Sequence, residues 1–358
     1  MKLTAKFDLY CWACDFSPNR GEGILAQNYI KELSKILKKK IFVQTMNGTY
    51  NVKNGVIINK SAETQKKLKL NFNFFENYLT PLIGVLYLWI NYLRGRGGCY
   101  LNFLPLWNIC IFFFLPPKTH LGPVTGFIFK KKVTGINFFL RKYLNFFLFK
   151  INLNILFYRQ NAIYFSTDLL KPLIRNNSRG KIFFNYLINL VCIKKKFINK
   201  KIDFLIYNRN YSVKNNSLRN DLLKILTKMN FNIYAIGDYL QYHGIKNLGF
   251  ITRKETNNLL KKTKFIINSG ENPYNIFTID AFNNHANIIY EKRFIHKIKF
   301  FNQEKLYFFD FRKKRTIKIF LKDNFDNVKF SSLTKEYNKV RNDNYNYFNS
   351  VKIYYTKN

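Results

Sequence analysis

The sequence predicts an α/β protein of two domains, each built on a mostly parallel sheet with helices on its faces. Three observations carry that expectation. Between Ile206 and Glu291 short β-rich runs alternate with helical patterns, which implies parallel strands joined by crossover helices. The first forty-five residues hold a β-α-β pattern of the same kind. At 358 residues the chain exceeds the size at which one hydrophobic core usually keeps growing.

Taken in order, the first half opens with a strand from Phe7 to Ala13, a loop CDFSPNRGEG and a helix whose apolar face is Ile24, Leu25, Ile30, Leu33, Ile36 and Leu37. Ile41 to Thr45 is the next strand. Gly21, Gly23 and Ala26 match the G-x-G-x-x-A pattern of dinucleotide sites. The glycines stand several residues past the strand, however, and no acid follows the second strand to meet a ribose. What remains is a flexible glycine loop leading into a helix N-terminus, a place that favours an anion. Tyr100 to Leu104 is predicted as a strand, followed by an apolar run from Ile109 to Leu115. The turn-rich PPKTHLGPVTG comes next and sets His120 in a loop. Ala162 to Phe165 is another strand, and Ser166 and Thr167 would cap a helix beginning near Asp168. The basic stretch Lys194 to Lys201 reads as a linker.

In the second half the runs are FLIYN, LLKILTKM, FNIYAIGD, IKNLGF, TNNLLKKT and KFIINSG, closing with a helix around Asp280 and a strand that includes Ile288 and Ile289. Ligands of such sheets bind beyond the carboxyl ends of the strands. Arg209, Lys214, Glu271 and Asp280 all fall just after a predicted strand or at the start of a helix, where they could hold an anionic ligand.

Composition bounds the partners. Sixty Lys and Arg against twenty Asp and Glu leave a net charge of +40, which suits nucleic acid or an anionic membrane surface. A bias toward residues with AT-rich codons, visible in the abundance of Lys, Asn, Ile, Phe and Tyr, would raise the charge without any selected partner. The first residues lack the unbroken apolar core of an export signal, so a cytoplasmic protein is expected. Five scattered cysteines do not form a disulfide framework. Cys11 and Cys14 make a C-x-x-C, either a redox dithiol or two small residues packing at a strand end. Leu79 to Leu93 is too short and too interrupted to span a bilayer. From Asn137 to Asn152 polar residues recur every four positions among Phe and Leu, downstream of Lys130 to Lys132. That pattern fits either an interfacial helix reaching acidic lipids or a buried one.

The chain resembles glycosyltransferases of the two-Rossmann-domain (GT-B) type, closest to the retaining group 4 family, over nearly its whole length but strongly only in the second half. Arg209 is followed five residues later by Lys214; Gly237 and the pair Gly249 and Phe250 stand at the family's glycine positions; Asp280 and Ala281 take the place of its second glutamate and alanine. The sequence departs from the pattern at Asp280, shorter than Glu, at His285 where Gly is usual and at Asn287 where Pro is usual. Glu271 lies nine residues from Asp280 rather than eight, so either the loop has one extra residue or Asn272 fills the first carboxylate place.

The resemblance implies two Rossmann-like domains facing a central cleft. The divisions would be 1–190, a basic linker 191–200, a nucleotide-sugar-binding domain 201–332, and a last segment 333–358 packing back on the first domain. It implies retaining, metal-independent transfer of a sugar from a nucleotide-sugar donor, without a cofactor, to a glycan or lipid-linked acceptor on the cytoplasmic face of the membrane. Arg209 and Lys214 would hold the donor diphosphate, whose departing charge a guanidinium and an ammonium can neutralise. Asp280 would accept hydrogen bonds from the ribose. His120 and Glu271 would act at the transferred sugar, and the loop at Gly21 and Gly23 would close over donor or acceptor. Two other readings stay open: an inactive member serving as a binding subunit, and a basic nucleic-acid-binding protein. The latter rests on charge alone, and no nucleic acid is expected as a partner.

Overall fold

The computed structural model describes residues 8–18, 21–46, 48–61, 73–101, 113–117, 119–122, 143–144, 147–148, 150–151, 154–155, 158, 162–165, 171, 181–185, 199–209, 217–268, 272–298, 301, 303–324 and 334–357. The chain divides into two compact units, Met1–Leu187 with Asp343–Asn358, and Ile188–Asn342.

The first unit is built on a six-stranded sheet. Strands β1 (Leu9–Ala13), β2 (Ile41–Thr45), β3 (Gly48–Lys53), β4 (Val56–Ser61), β5 (Gly98–Leu101) and β6 (His120–Leu121) lie in the order β4-β3-β2-β1-β5-β6. β1 runs parallel to β2 and β5, and β5 parallel to β6. The antiparallel meander β2-β3-β4 extends one edge. All five residues of β1 are buried, as a strand covered on both faces requires. Helix α1 (Gly21–Leu37) buries Ala26, Tyr29, Ile30 and Leu33 against Cys11, Val43 and Leu101. Helix α2 (Asn73–Leu93) sets Val85 and Leu88 among Trp12, Tyr100 and Phe165. A two-stranded parallel sheet pairs β7 (Ala162–Phe165) with β8 (Lys181–Phe184).

Two sequence expectations change here. Gly21 and Gly23 belong to the first turn of α1 rather than to a flexible loop. A Cβ on Gly23 would lie 2.3 Å from the Ser17 carbonyl oxygen, so the glycine serves close approach of the 15–17 turn. That turn is fixed by a hydrogen bond from Ser17 N–H to Asp15 Oδ1 (2.8 Å) and by Gln27 Nε2 donating to the Phe16 carbonyl (2.7 Å). His120 is not in a loop either. It pairs with Cys99 as the first residue of β6. A two-residue strand is too short to carry a readable alternation. The meander of β3 and β4 is a further element that the sequence expectations do not contain.

Cys11 and Cys14 form no disulfide, and the Cys14 thiol lies 3.5 Å from the Tyr100 hydroxyl. Burial pushes both up from the ordinary thiol range, away from the thiolate that redox chemistry needs. The packing reading of this pair is the one the geometry supports.

The second unit holds strands β9 (Ile202–Asn208), β10 (Ile233–Gly237), β11 (Ile245–Asn247), β12 (Thr263–Ile267), β13 (Asn287–Glu291) and β14 (Leu306–Phe309) in the order β11-β10-β9-β12-β13-β14. All are parallel. This is the doubly wound order in which the chain reverses direction between the first and fourth strands, the place where ligands bind. Helices α3 (Ser217–Leu226), α4 (Arg253–Lys261), α5 (Ile276–Asn283) and α6 (Lys314–Asn324) connect or follow the strands. The core sets Phe204, Ile206, Phe265, Ile267 and Ile289 of the sheet against Leu222, Leu223 and Leu226 of α3 and Ile317 and Leu321 of α6. Helix α7 (Thr334–Lys357) carries Tyr347, Phe348 and Val351 into the core of the first unit, where Asn185 Nδ2 donates to Asn344 Oδ1 (2.8 Å). The segment 137–152 lies for the most part outside the described residues.

Candidate functional site

The carboxyl ends of β9 to β12 form the best-built polar edge of the second unit. β9 ends at Asn208, which is fully buried and donates through Nδ2 to the Asp238 carbonyl (3.0 Å). β10 ends at Gly237, with φ +93° and a notional Cβ only 2.2 Å from the Asn208 carbonyl oxygen. No side chain fits there, and the backbone takes a left-handed course. Gly237 N–H donates to the Gly249 carbonyl (2.8 Å) and Asp238 N–H to that of Asn208 (3.1 Å), so the three strand-end turns are stitched together. The glycines that the resemblance marks are therefore needed by the backbone.

Arg209 follows directly. Its Nε donates to the Tyr207 hydroxyl (2.6 Å) and its guanidinium lies 5.5 Å from the centre of that ring. The Tyr207 ring meets Phe277 in the first turn of α5, with centroids 5.7 Å apart. Arg209 is thus held beside the start of the helix that carries Asp280. Lys214 and Glu271 lie outside the described residues. Asn272, the alternative to Glu271, uses its Oδ1 to accept from Tyr274 N–H (2.9 Å), and its carbonyl accepts from Asn268 Nδ2 (3.1 Å). Its side chain shapes the loop in this structure.

Asp280 is the fifth residue of α5 rather than a residue at the helix start. The helix begins instead at an N-cap, Asn275, whose Oδ1 accepts from Thr278 N–H (2.8 Å). The Asp280 carboxylate is gripped at both oxygens by Arg253, Nε to Oδ2 at 2.8 Å and Nη2 to Oδ1 at 2.7 Å. The two side chains differ in exposure: 7% for Asp280 and 41% for Arg253. Arg253 is the first residue of α4, placed by the capping box of Thr252 and Glu255. The Asp280 hydrogen bonds hold its guanidinium above the usual arginine range.

Arg253 is the residue that sequence reasoning missed. A signal was present: it opens a helix just after the Gly249-Phe250 step, but an arginine there also suits a solvated first turn. Sequence gave no partner for it, because Asp280 lies 27 positions on.

His120 belongs to the first unit. Its ring is 0% exposed, stacks near-parallel on Tyr29 and meets the Tyr29 hydroxyl through Nε2 at 2.5 Å. Burial lowers its pKa to about 3, so the ring is neutral. To touch a sugar it would first have to be uncovered. Among the described residues no three His, Cys, Asp or Glu side chains gather where they could hold a metal ion.

No protein-family model matches the chain, and no curated protein matches it by sequence. Solved structures do match. The Anabaena protein HepE in complex with UDP gives a TM-score of 0.52 at 8% identity, covering 98% of this chain and 99% of that one. The same protein with UDP-glucose gives 0.52 at 9% identity, over 96% and 99%. A glycosyltransferase from Rickettsia africae gives 0.49 at 12% identity, over 98% of each chain. At 8% and 9% identity the likeness to HepE establishes the fold alone, the two-domain α/β architecture called GT-B.

Proposed function

We propose that this chain is a glycosyltransferase that binds a nucleotide-sugar at the carboxyl edge of its second sheet and passes the sugar to an acceptor hydroxyl. The observation that carries this reading is the placement of the Arg209 guanidinium, through Tyr207 and Phe277, beside the start of the helix whose Asp280 carboxylate is clamped by Arg253. The UDP and UDP-glucose held by HepE, which shares the fold, support a uridine nucleotide as the donor's carrier.

The electrostatics suit such a ligand. A bare carboxylate beside a diphosphate would repel it, whereas one neutralised by a bidentate arginine presents lone pairs to ribose hydroxyls without a net negative charge. Arg253 keeps further N–H donors for the nucleotide, being part-exposed. Arg209, with Lys214, would grip the diphosphate and stabilise the charge that develops as it leaves. In this reading the transfer proceeds with retention and without a metal, Glu271 lies at the sugar, and the acceptor is a glycan or a lipid-linked oligosaccharide.

The test is a thermal-shift panel of UDP, ADP, GDP and their sugars. A ligand at one hundred times its Kd stabilises by about 2.7 kcal/mol, which raises the midpoint of a domain this size by about 5–10 °C. The shift for the preferred diphosphate should vanish in Arg209→Ala and in Lys214→Ala. If no nucleoside diphosphate stabilises the protein, the reading fails. The shortened acid at Asp280 also suits a chain that binds a nucleotide without turning it over. Donor hydrolysis that stays absent at high protein concentration, with the thermal shift intact, would select that alternative.

A further inference from the structure

Helix α2 has two apolar faces, and among the described residues only one is packed. Its inner face packs Val85 and Leu88 on the first sheet, with Gly84 so close to Trp12 that a Cβ there would lie 2.2 Å from the indole. Leu82, Ile83, Leu86, Ile90 and Leu93 point the other way and are exposed, from 36% at Ile83 to 78% at Leu93. At 3.6 residues per turn these five fall within an arc of about 100°, and every residue of that arc between Leu82 and Leu93 is Leu or Ile. The strip continues onto Phe113 and Phe114, both exposed. Trp89, at the margin of the arc, donates its indole N–H to the Phe114 carbonyl (2.7 Å). Exposed apolar strips of this extent mark an interaction surface.

Charge identifies the occupant. The strip carries no charged residue, while exposed Arg94 follows it directly. The whole chain bears a net charge of +40. A second copy would bring the same +40 to the contact, whereas an anionic lipid surface brings the opposite sign. Trp89 and part-exposed Tyr92 stand on one flank of the strip, where indole and phenol rings favour the headgroup level. No helix among the described residues is long and apolar enough to cross a membrane. We infer that the outer face of α2, with Phe113 and Phe114, docks on an anionic bilayer, its leucines and isoleucines entering the acyl boundary while Arg94 meets the headgroups and the net positive charge of the chain draws it to the surface. This does not depend on the nucleotide reading, and it uses residues other than the basic aromatic segment 137–152.

The experiment is vesicle co-sedimentation of the full chain with phosphatidylcholine alone and with phosphatidylcholine plus phosphatidylglycerol, at low salt and at about 1 M salt. The Debye length falls to about 3 Å at the higher concentration, which suppresses attraction by charge alone. The wild type should prefer the anionic vesicles and stay bound in part at high salt. Leu86→Glu/Ile90→Glu should lower that salt-resistant partition at least about tenfold, since two buried aliphatic side chains are worth more than that. Val56→Glu/Ile58→Glu on exposed positions of β4 makes the same charge change and should bind as the wild type does. Equal midpoints of thermal unfolding in all three proteins show that the folds are intact. The inference is overturned if the wild type shows no salt-resistant binding, or if the α2 variant keeps it. It is equally overturned if the β4 variant loses as much, or if light scattering shows a dimer that the α2 variant dissolves.

Discussion

Replacing Arg253 with alanine removes both charge-assisted hydrogen bonds to Asp280 and strands a carboxylate whose side chain is 7% exposed. Breaking a fully buried pair by deleting one partner costs roughly 3–5 kcal/mol. Here the deleted side chain is 41% exposed, and water can enter the space it leaves, so the expected loss is nearer to about 2 kcal/mol. Removing the other partner is asymmetric. Asp280→Asn keeps the shape and leaves an arginine that already reaches water, so its cost should stay at about 1 kcal/mol or less. The double variant no longer buries an uncompensated charge and should recover roughly half or more of what Arg253→Ala loses. Urea midpoints of the wild type, the two single variants and the double variant give the full cycle. For a domain of this size the Arg253→Ala loss corresponds to a fall of about 4–8 °C in Tm. The reasoning is refuted if Asp280→Asn is the more destabilising change, or if the double variant is no more stable than Arg253→Ala.

Three further outcomes follow from the same structure. Gly237→Ala should destabilise by about 2–4 kcal/mol in urea unfolding, because φ is +93° and the added Cβ would meet the Asn208 carbonyl oxygen at 2.2 Å. His120 has a folded pKa of about 3, below its ordinary 6.5, so the unfolded chain takes up a proton first as pH falls. Stability should therefore drop by about 2 kcal/mol between about pH 6.5 and about pH 5, a drop that His120→Gln abolishes in urea titrations at each pH. Lys200 is held at about 7, chiefly by burial and then by the charge of Lys305, while it donates to the carbonyls of Thr263 and His285. The wild type should gain about 1.4 kcal/mol per pH unit relative to Lys200→Met as pH rises from about 7 to 10.5, and a flat difference would contradict this.

The second unit was legible because its signals are local. The runs FNIYAIGD and KFIINSG are β-rich, bounded by turn residues and long enough to show their class, and they are β10 and β12. The run TNNLLKKT falls largely on α4, although that helix starts earlier, at Arg253 behind the capping box of Thr252 and Glu255. The first unit was less legible where its geometry depends on distant residues. His120 reads as a loop residue because its strand has two members, whose partners, Cys99 and Tyr100, lie about twenty positions back. Gly23 reads as a hinge because nothing in its neighbourhood says that Ser17 folds onto it. The candidate site divides in the same way. Arg209 directly follows β9, as an alternation of strands and helices leads one to expect, whereas the partner of Asp280 is a long-range fact that periodicity cannot supply.

The departures from the resembled motif are not equal in their consequences, and the backbone shows why. His285 stands where glycine is usual and has φ +58°, so this position demands the left-handed conformation whatever residue fills it. A histidine there costs about 1–2 kcal/mol relative to glycine. Its Nδ1 meets Lys305 Nζ at 3.1 Å and its carbonyl accepts from Lys200, contacts that offset part of the cost. The turn closes with His285 in place: Ala286 N–H donates to the Ala281 carbonyl (3.0 Å), and β13 follows in register with β12. The aspartate at 280 differs in kind, because a side chain one methylene shorter reaches less far from α5 and is tied to Arg253 across the turn from α4. In the proposed reading a nucleotide at this edge meets an arginine and aspartate pair, and its preference among diphosphates, read by thermal shift, should respond to Arg253→Ala as strongly as to Asp280→Asn.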